Sequence, residues 1–145
     1  MPEDGFDLAL NLFTSFGYFD SEEENIDVLR SIKDALKPAG HFVLDYLNET
    51  KTRQGLIAEE TKETKGANFQ IQRSIQQEFV VKKIKLTIDG GTQHFIERVR
   101  LYSLEQLEEL FSRSGLKIIK TAGDYHLNAY NRTNSDRLIL FATKK

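Results

Sequence analysis

The sequence predicts an α/β protein of one domain, and three observations carry this prediction. Near the amino terminus an apolar run, a capped amphipathic helix and a second apolar run follow one another, which is the order of a βαβ unit. From Phe69 onward apolar and polar residues alternate, which indicates an antiparallel sheet. A second capped helix and two further apolar runs then reach the carboxyl terminus. A chain of 145 residues is long enough to bury a core of its own.

The first strand is the run FDLALN, Phe6 to Asn11, which is apolar at almost every position. Such a run predicts a strand covered on both faces, as in a parallel sheet. The segment LFTSFGYF follows it and combines aromatic rings with hydroxyl groups and Gly17. Because loops after parallel strands hold the ligands of α/β proteins, this loop is predicted to line a pocket.

The next element is a helix with clear signals at both ends. Ser21 and Glu24 have the spacing of a capping box, and the residues KPAG end the helix. Its apolar stripe is formed by Leu29, Ile32 and Leu36. A second strand follows in HFVLDYLN, centred on Phe42 to Leu44, and completes a right-handed crossover.

The segment after Asn48 is polar and lacks periodicity, so it is interpreted as a connector. Residues 69–102 are predicted to form a small antiparallel sheet inserted into the α/β unit, with a hairpin turn at Asp89 and Gly90. This sheet resembles a lid or an extension, so residues 1–145 are predicted to be a single domain. Ser103 and Gln106 begin the last helix, and the final strands lie in LKIIKTAG and RLILFATKK.

Composition excludes several classes of function. A formal net charge of −2 argues against a general affinity for nucleic acid. The sequence has no apolar run of membrane-spanning length, and its acidic start differs from a signal peptide, so a cytoplasmic location is expected. The chain has no cysteine, which excludes disulfides and thiolate chemistry, and its scattered histidines do not have metal-ligand spacing.

Four segments together resemble the carboxy-terminal half of the class I, Rossmann-like S-adenosylmethionine-dependent methyltransferases. FDLALNLFTSFGYF is similar to the fourth strand of that family and its loop, and LRSIKDALKPAGHFVLDYLN is similar to the helix, turn and fifth strand. LYSLEQLEELFSRSGLKII and RLILFATKK are similar to the last helix with the sixth strand and to the seventh strand. Ala39 replaces the first glycine usual in the turn. The resemblance implies a partial methyltransferase sheet, strands four to seven, with the inserted sheet added.

The glycine-rich cofactor turn of that family is absent, since no G-x-G spacing occurs in the sequence. The resemblance therefore implies that the first three strands are missing and that Phe6–Leu12 becomes an exposed strand edge. Such an edge is expected to pair with another chain, either a second copy or a polypeptide that supplies the missing half.

The resemblance also indicates a cofactor site. Asn11, Leu12 and Phe13 would border the methionine part of S-adenosylmethionine, with backbone carbonyls available for its ammonium group. The alternative is that Asn11 caps the strand end and that Phe13 belongs to the core. Binding of the cofactor by this chain alone is not expected.

Seven side chains are the candidates for contact with a small-molecule substrate: Phe16, Tyr18, Asp45, Tyr46, Asn48, Tyr125 and Tyr130. The aromatic ones are suited to a pocket wall, although packing in the core is the usual role of such rings. Asp45 and Asn48 follow the second strand, where they either meet a ligand or complete a turn. His126 is a weaker candidate, and the sequence identifies no catalytic residue.

Two functions remain open at this point. One is a fragment of a methyltransferase acting on a small molecule, inactive without the cofactor-binding half. The other is a non-enzymatic oligomerisation or interaction module that is derived from such an enzyme. The fold alone does not decide between them.

Overall fold

The computed structural model describes residues 5–145; Met1 to Asp4, which the single-domain prediction included, lie outside the described residues. The elements are β1 (Phe6–Asn11), α1 (Glu22–Ala35), β2 (Leu36–Leu47), α2 (Glu49–Gln54), β3 (Glu59–Thr64), β4 (Ala67–Gln76), β5 (Phe79–Ile88), β6 (Gly91–Arg100), α3 (Leu104–Arg113), β7 (Leu116–Ala122) and β8 (Arg137–Lys144). Within residues 5–145, no helix is both long and apolar enough to cross a membrane.

The eight strands form two four-stranded sheets. The first sheet has the order β1-β2-β8-β7, in which β1 and β2 are parallel and the other pairs are antiparallel. The second sheet is the antiparallel meander β3-β4-β5-β6. The βαβ crossover and the inserted sheet are thus confirmed, and the α/β class with them.

Both predicted helix starts are confirmed in detail. The Ser21 hydroxyl accepts from the backbone N–H of Glu24, whose carboxylate in turn accepts from the Ser21 N–H. Ser103 and Gln106 repeat this arrangement at α3. Each reciprocal pair satisfies two N–H groups that the helix itself leaves without a partner.

The core lies between the first sheet and the helices α1 and α3. Ile26 and Leu29 of α1 and Leu107 of α3 are fully buried there. Phe42 of β2 stacks on Phe111 with ring centroids 5.7 Å apart. Burying each such side chain stabilises the fold by about 1.5 to 3 kcal/mol, so this face of the sheet is where the two helices are held.

The opposite face of β1 corrects one prediction. Phe6, Leu8 and Leu10 are 43%, 52% and 55% exposed, whereas Ala9 and Asn11 on the core side are half-buried. The expectation of a strand covered on both faces is wrong for residues 5–145, because nothing in this part of the chain packs on the outer face of β1. An apolar pattern shows that a strand is suited to burial, and it does not show what buries it.

The second sheet begins earlier than predicted, at Glu59 instead of Phe69. The segment interpreted as a connector contains α2 and β3. Strand β3 shows no apolar alternation because it is an edge strand with almost every side chain in solvent. The predicted hairpin is confirmed: Asp89 and Gly90 have φ values of 43° and 81°, as a two-residue turn of this kind requires.

Strand β2 is also longer than predicted. It begins at Leu36, directly after α1, so the residues KPAG belong to the strand and do not form a separate turn. Leu36 already has extended backbone angles, with φ of −82° and ψ of 144°.

The two sheets are joined by hydrogen bonds at the base of β6. The Arg100 N–H donates to the Gly17 carbonyl at 2.8 Å, and the buried Tyr46 hydroxyl donates to the Arg100 carbonyl. The same hydroxyl accepts from the Tyr102 N–H at 3.2 Å. Gly17 has φ of 91°, and a Cβ there would lie 3.2 Å from the Arg100 carbonyl oxygen, which explains the glycine.

Candidate functional site

The loop after β1 contains two consecutive non-glycine residues in the left-handed region. Phe13 and Thr14 have φ values of 57° and 55°. Such backbone costs about 1 to 3 kcal/mol per residue and persists only where the surroundings enforce it. Here the Phe13 N–H donates to the Asp45 carboxylate at 3.0 Å, and the Thr14 N–H donates to the Asp45 carbonyl at 2.9 Å.

Asp45 is the centre of a network that also includes Phe13, Thr14, Tyr125 and Arg137, called the Asp45 network below. Its carboxylate is 2% exposed and accepts from the Tyr125 hydroxyl and from Arg137 Nε, both at 2.8 Å. Arg137 also donates from Nη2 to the Thr14 hydroxyl at 2.8 Å. The Phe13 N–H, the Tyr125 hydroxyl and Arg137 all donate to this one buried carboxylate, so it holds the loop in place.

Tyr125 approaches Asp45 from the long loop between β7 and β8. Burial and the hydrogen bond to the Asp45 carboxylate raise the pKa of the Tyr125 phenol, which therefore stays protonated and donates. The predicted candidates Asp45 and Tyr125 thus lie together at the carboxyl ends of β1 and β2, the edge where such sheets bind ligands.

The predicted cofactor residues end β1 at the same edge. Leu12 and Phe13 are 40% and 75% exposed. Asn11 is half-buried, and its side-chain oxygen is enclosed without a hydrogen-bond donor among residues 5–145. An enclosed acceptor without a donor is costly, so this oxygen is a point of strain at the end of β1. The assignment of these three residues to a cofactor stays a prediction.

Three predicted substrate residues lie within the scaffold. Phe16 is 2% exposed and packs edge-on against Tyr46, whose own ring is fully buried. Burial raises the pKa of the Tyr46 phenol well above its ordinary value. Asn48 is 1% exposed, caps α2 by accepting from the Lys51 N–H, and donates to two carbonyls of the β7–β8 loop. In this conformation none of the three presents a surface to a ligand, so their structural roles explain them.

Tyr130 and His126 lie in the loop between β7 and β8. Tyr130 is half-buried against the core, which raises the pKa of its phenol. His126 is exposed, and its backbone N–H donates to the Asp124 carboxylate. Residues 5–145 bring no group of three or more His, Asp or Glu side chains together in a way that would hold a metal ion.

Tyr18 lines a cavity of about 380 Å³ between the carboxyl edge of the first sheet and the second sheet. Four aliphatic side chains form its apolar surface: Leu47, Leu56, Val80 and Val99. Polar groups come from Thr14 and Arg137 of the Asp45 network and from Arg73, Lys82 and Glu97 of the second sheet. The volume and the mixed lining are those of a small-molecule site.

Sequence reasoning missed the polar residues of this cavity. Lys82 lies directly opposite Glu97 in the β5–β6 ladder. The Asp89–Gly90 turn sets the register of the two strands, and that register predicts this pair. Lys82 lines the cavity and is half-buried, whereas Lys83 and Lys85 of the same strand are exposed. Arg137 begins β8 opposite Leu47, and the polar start of the run RLILF is the only local signal for it.

Comparisons with known proteins agree with this architecture. No family model matches the sequence, and no curated protein is similar to it in sequence. A solved S-adenosylmethionine-dependent methyltransferase from Clostridium acetobutylicum ATCC 824 superposes with a TM-score of 0.85 at 16% identity, covering 98% of this chain and 59% of that one. The CcbJ methyltransferase from Streptomyces caelestis gives 0.81 at 17% identity, covering 99% and 59%.

A third similar structure was solved with S-adenosylmethionine bound. It is S-adenosylmethionine-bound CalS10, an amino pentose methyltransferase from Micromonospora echinaspora, with a TM-score of 0.66 at 14% identity over 99% of this chain and 60% of that one. The chain therefore has the fold of the carboxy-terminal part of a class I methyltransferase, as the sequence resemblance indicated. It spans about 59% of the length of the first two structures.

Proposed function

We propose that the chain is the substrate-side part of an S-adenosylmethionine-dependent methyltransferase that acts on a small molecule. One observation carries this proposal: the Asp45 network holds a strained loop at the carboxyl edge of the sheet, directly beside a cavity of small-molecule size. The similar folds of three methyltransferases support the reaction class.

S-adenosylmethionine, when bound, supplies a methyl group on a sulfonium to a nucleophile of the substrate. The residues present fit one end of that cofactor. The exposed Phe13 ring offers an apolar surface at the end of β1, and the enclosed Asn11 oxygen is an acceptor without a donor that a change of side-chain rotamer would present to the ammonium group. For the ribose and adenine the sequence has no glycine-rich turn.

The remaining task of these side chains is to bind and align the substrate and to exclude water from it. Val80 and Val99 form an apolar surface in the cavity, and polar side chains line the rest of it. Thr14 and Arg137 connect the cavity wall to the Asp45 network, so the substrate side and the loop after β1 are held in one arrangement.

We further propose that the cofactor-binding part of the enzyme docks on the outer edge and open face of β1. Among residues 5–145, β1 pairs only with β2, and its outer face presents Phe6, Leu8 and Leu10. About two fifths of the length of the solved methyltransferases is not covered by this chain. An apolar edge strand of this type recruits another polypeptide.

The experiment is reconstitution, with binding of S-adenosylhomocysteine as the signal. The chain is expressed with the segment of the Clostridium acetobutylicum methyltransferase that it does not cover, and the purified mixture is titrated by calorimetry. We expect saturable binding by the mixture and none by either part alone. Replacing Leu8 and Leu10 together by Lys should abolish it, whereas Ile57→Lys, at an equally exposed site 63% in solvent, should not.

The second candidate function is an interaction module without catalysis. The same exposed strand supports it, because β1 can pair with a second copy about a two-fold axis. A stable dimer of the chain, dissociated by the double Lys variant, together with failed reconstitution would favour this alternative.

A further inference from the structure

The cavity contains one pair of charged groups that the Asp45 network does not use. Lys82 on β5 and Glu97 on β6 face each other across the ladder and both line the cavity. The Lys82 Nζ atom lies 3.9 Å from a Glu97 carboxylate oxygen, which is beyond hydrogen-bond distance. Neither side chain makes a hydrogen bond within the described part of the chain, so both have free capacity for a ligand.

The other two cations of the cavity already have carboxylate partners. Arg73 pairs with Glu60 at 2.8 Å, and Arg137 pairs with Asp45 at 2.8 Å. A phosphate or carboxylate ligand would therefore compete with partners that are already in place. It would also approach Glu97, a like charge within the wall.

Tyr18 adds a phenol on the same side as Glu97. Burial, and after it the nearby Glu97 carboxylate, raise the pKa of the Tyr18 phenol, so the group stays protonated. The Glu97 carboxylate and the Tyr18 phenol line the same cavity as the apolar side chains of Val80 and Val99. This combination is complementary to a ring that carries an ammonium group. Lys82 is then free to donate to hydroxyl groups of the same ligand.

We propose that the cavity binds a hydroxylated, ring-sized amine, whose ammonium group is held by Glu97 beside Tyr18 and whose hydroxyls are contacted by Lys82. The statement that this amine is the methyl acceptor rests on the function proposed above, whereas the binding of the amine is argued from the cavity alone. Since a protonated amine is not a nucleophile, the nitrogen would have to release one proton to solvent before it could accept a methyl group, and solvent has access because the Glu97 side chain is 48% exposed.

The test is a titration of the isotopically labelled chain with D-glucosamine, D-glucose and inorganic phosphate, followed by NMR. The two sugars differ in one amino group, and fragments of this size bind in the millimolar range. We expect saturable shifts at Tyr18, Val80 and Val99 with D-glucosamine, an affinity at least about tenfold lower for D-glucose, and none of these shifts with phosphate.

Two variants make the assignment specific. Glu97→Gln should remove at least about tenfold of the D-glucosamine affinity and leave that for D-glucose unchanged, because only the charge is lost. Glu109→Gln, an exposed site on α3, is the matched control and should change neither. Circular dichroism of each variant confirms that the fold is retained.

Three results would overturn the inference: equal affinity for the two sugars, a Glu97→Gln variant that still prefers the amine, or phosphate binding at the cavity residues. The result of this titration is independent of the result of the reconstitution experiment. A reconstituted methyltransferase without Glu97-dependent amine binding would refute only this inference, whereas amine binding without reconstitution would refute only the proposed function.

Discussion

The two faces of the first sheet are built differently, although the same strands form both. On one face Phe42, Leu44 and Tyr46 are fully buried under α1 and α3. On the other, Leu8 and Leu10 are about half exposed. The difference shows that residues 5–145 cover only one face of the first sheet, although the apolar residues of β1 are suited to burial on both. The Asp45 network lies at the carboxyl end of the open face.

Truncation of one apolar side chain on each face gives the largest contrast. Phe42→Ala should lower the free energy of unfolding by about 3 to 5 kcal/mol, because it removes a stacked ring from the packed core. Leu10→Ala on the open face should change it by no more than about 0.5 kcal/mol. Urea denaturation of both variants measures this. Similar losses would mean that the open face is covered in solution.

Removal of Asp45 should have the next largest effect. Asp45→Ala leaves the Arg137 guanidinium and the Phe13 N–H without their acceptor, which costs about 3 kcal/mol for a buried pair. The same urea experiment tests this, and proton exchange at Phe13 and Thr14 should rise more than at α3. Uniform exchange along the chain would show that the network does not hold the loop.

Loss of the Tyr46 hydroxyl should be smaller. Tyr46→Phe keeps the ring in the core but removes the bridge to Arg100 and Tyr102, which costs about 1 to 2 kcal/mol. Backbone amide shifts at the base of β6 should change with it. Unchanged stability and unchanged shifts would contradict the role of this hydroxyl in joining the two sheets.

The smallest effect concerns alkaline pH. The pKa of Tyr46 is raised in the folded chain, so below the unfolded value of 10.0 the phenol is protonated in both states and this contribution is fully present. Above that pH the unfolded chain releases the proton first, and stability falls as pH rises toward the folded value. Tyr46→Phe should flatten this decline in a pH series of thermal midpoints. A parallel decline in both proteins would contradict it.

The sequence was sufficient for elements whose signals are local. The capping boxes at Ser21 and Ser103 and the Asp89–Gly90 turn are confirmed because each depends on neighbouring residues. Strand β3 was missed because an exposed edge strand needs no apolar alternation. The prediction that Phe6–Asn11 is buried on both faces is wrong for residues 5–145, because the sequence of a strand does not show which element covers it.

For the candidate site, the sequence predicted that Asp45 and Tyr125 lie at one edge of the sheet, and that this edge binds a ligand stays a prediction. The two residues are 80 positions apart in the sequence. Their side chains meet because the carboxyl ends of β2 and β7 lie at the same edge of the sheet. Tyr46 and Asn48 alternate in direction from Asp45 and have structural partners. Arg137 was not predicted as a site residue because its partner Asp45 is 92 residues away, and no local sequence pattern indicates that contact.

The most direct measurement of the central claim is a calorimetric titration of the chain alone with S-adenosylhomocysteine, with the molecular mass recorded by light scattering in the same sample. If the chain is only the substrate side of a methyltransferase, a folded sample should give no saturable heat. Saturable binding with one cofactor per monomer would contradict the account, because it would show that this chain forms a complete cofactor site without the other half.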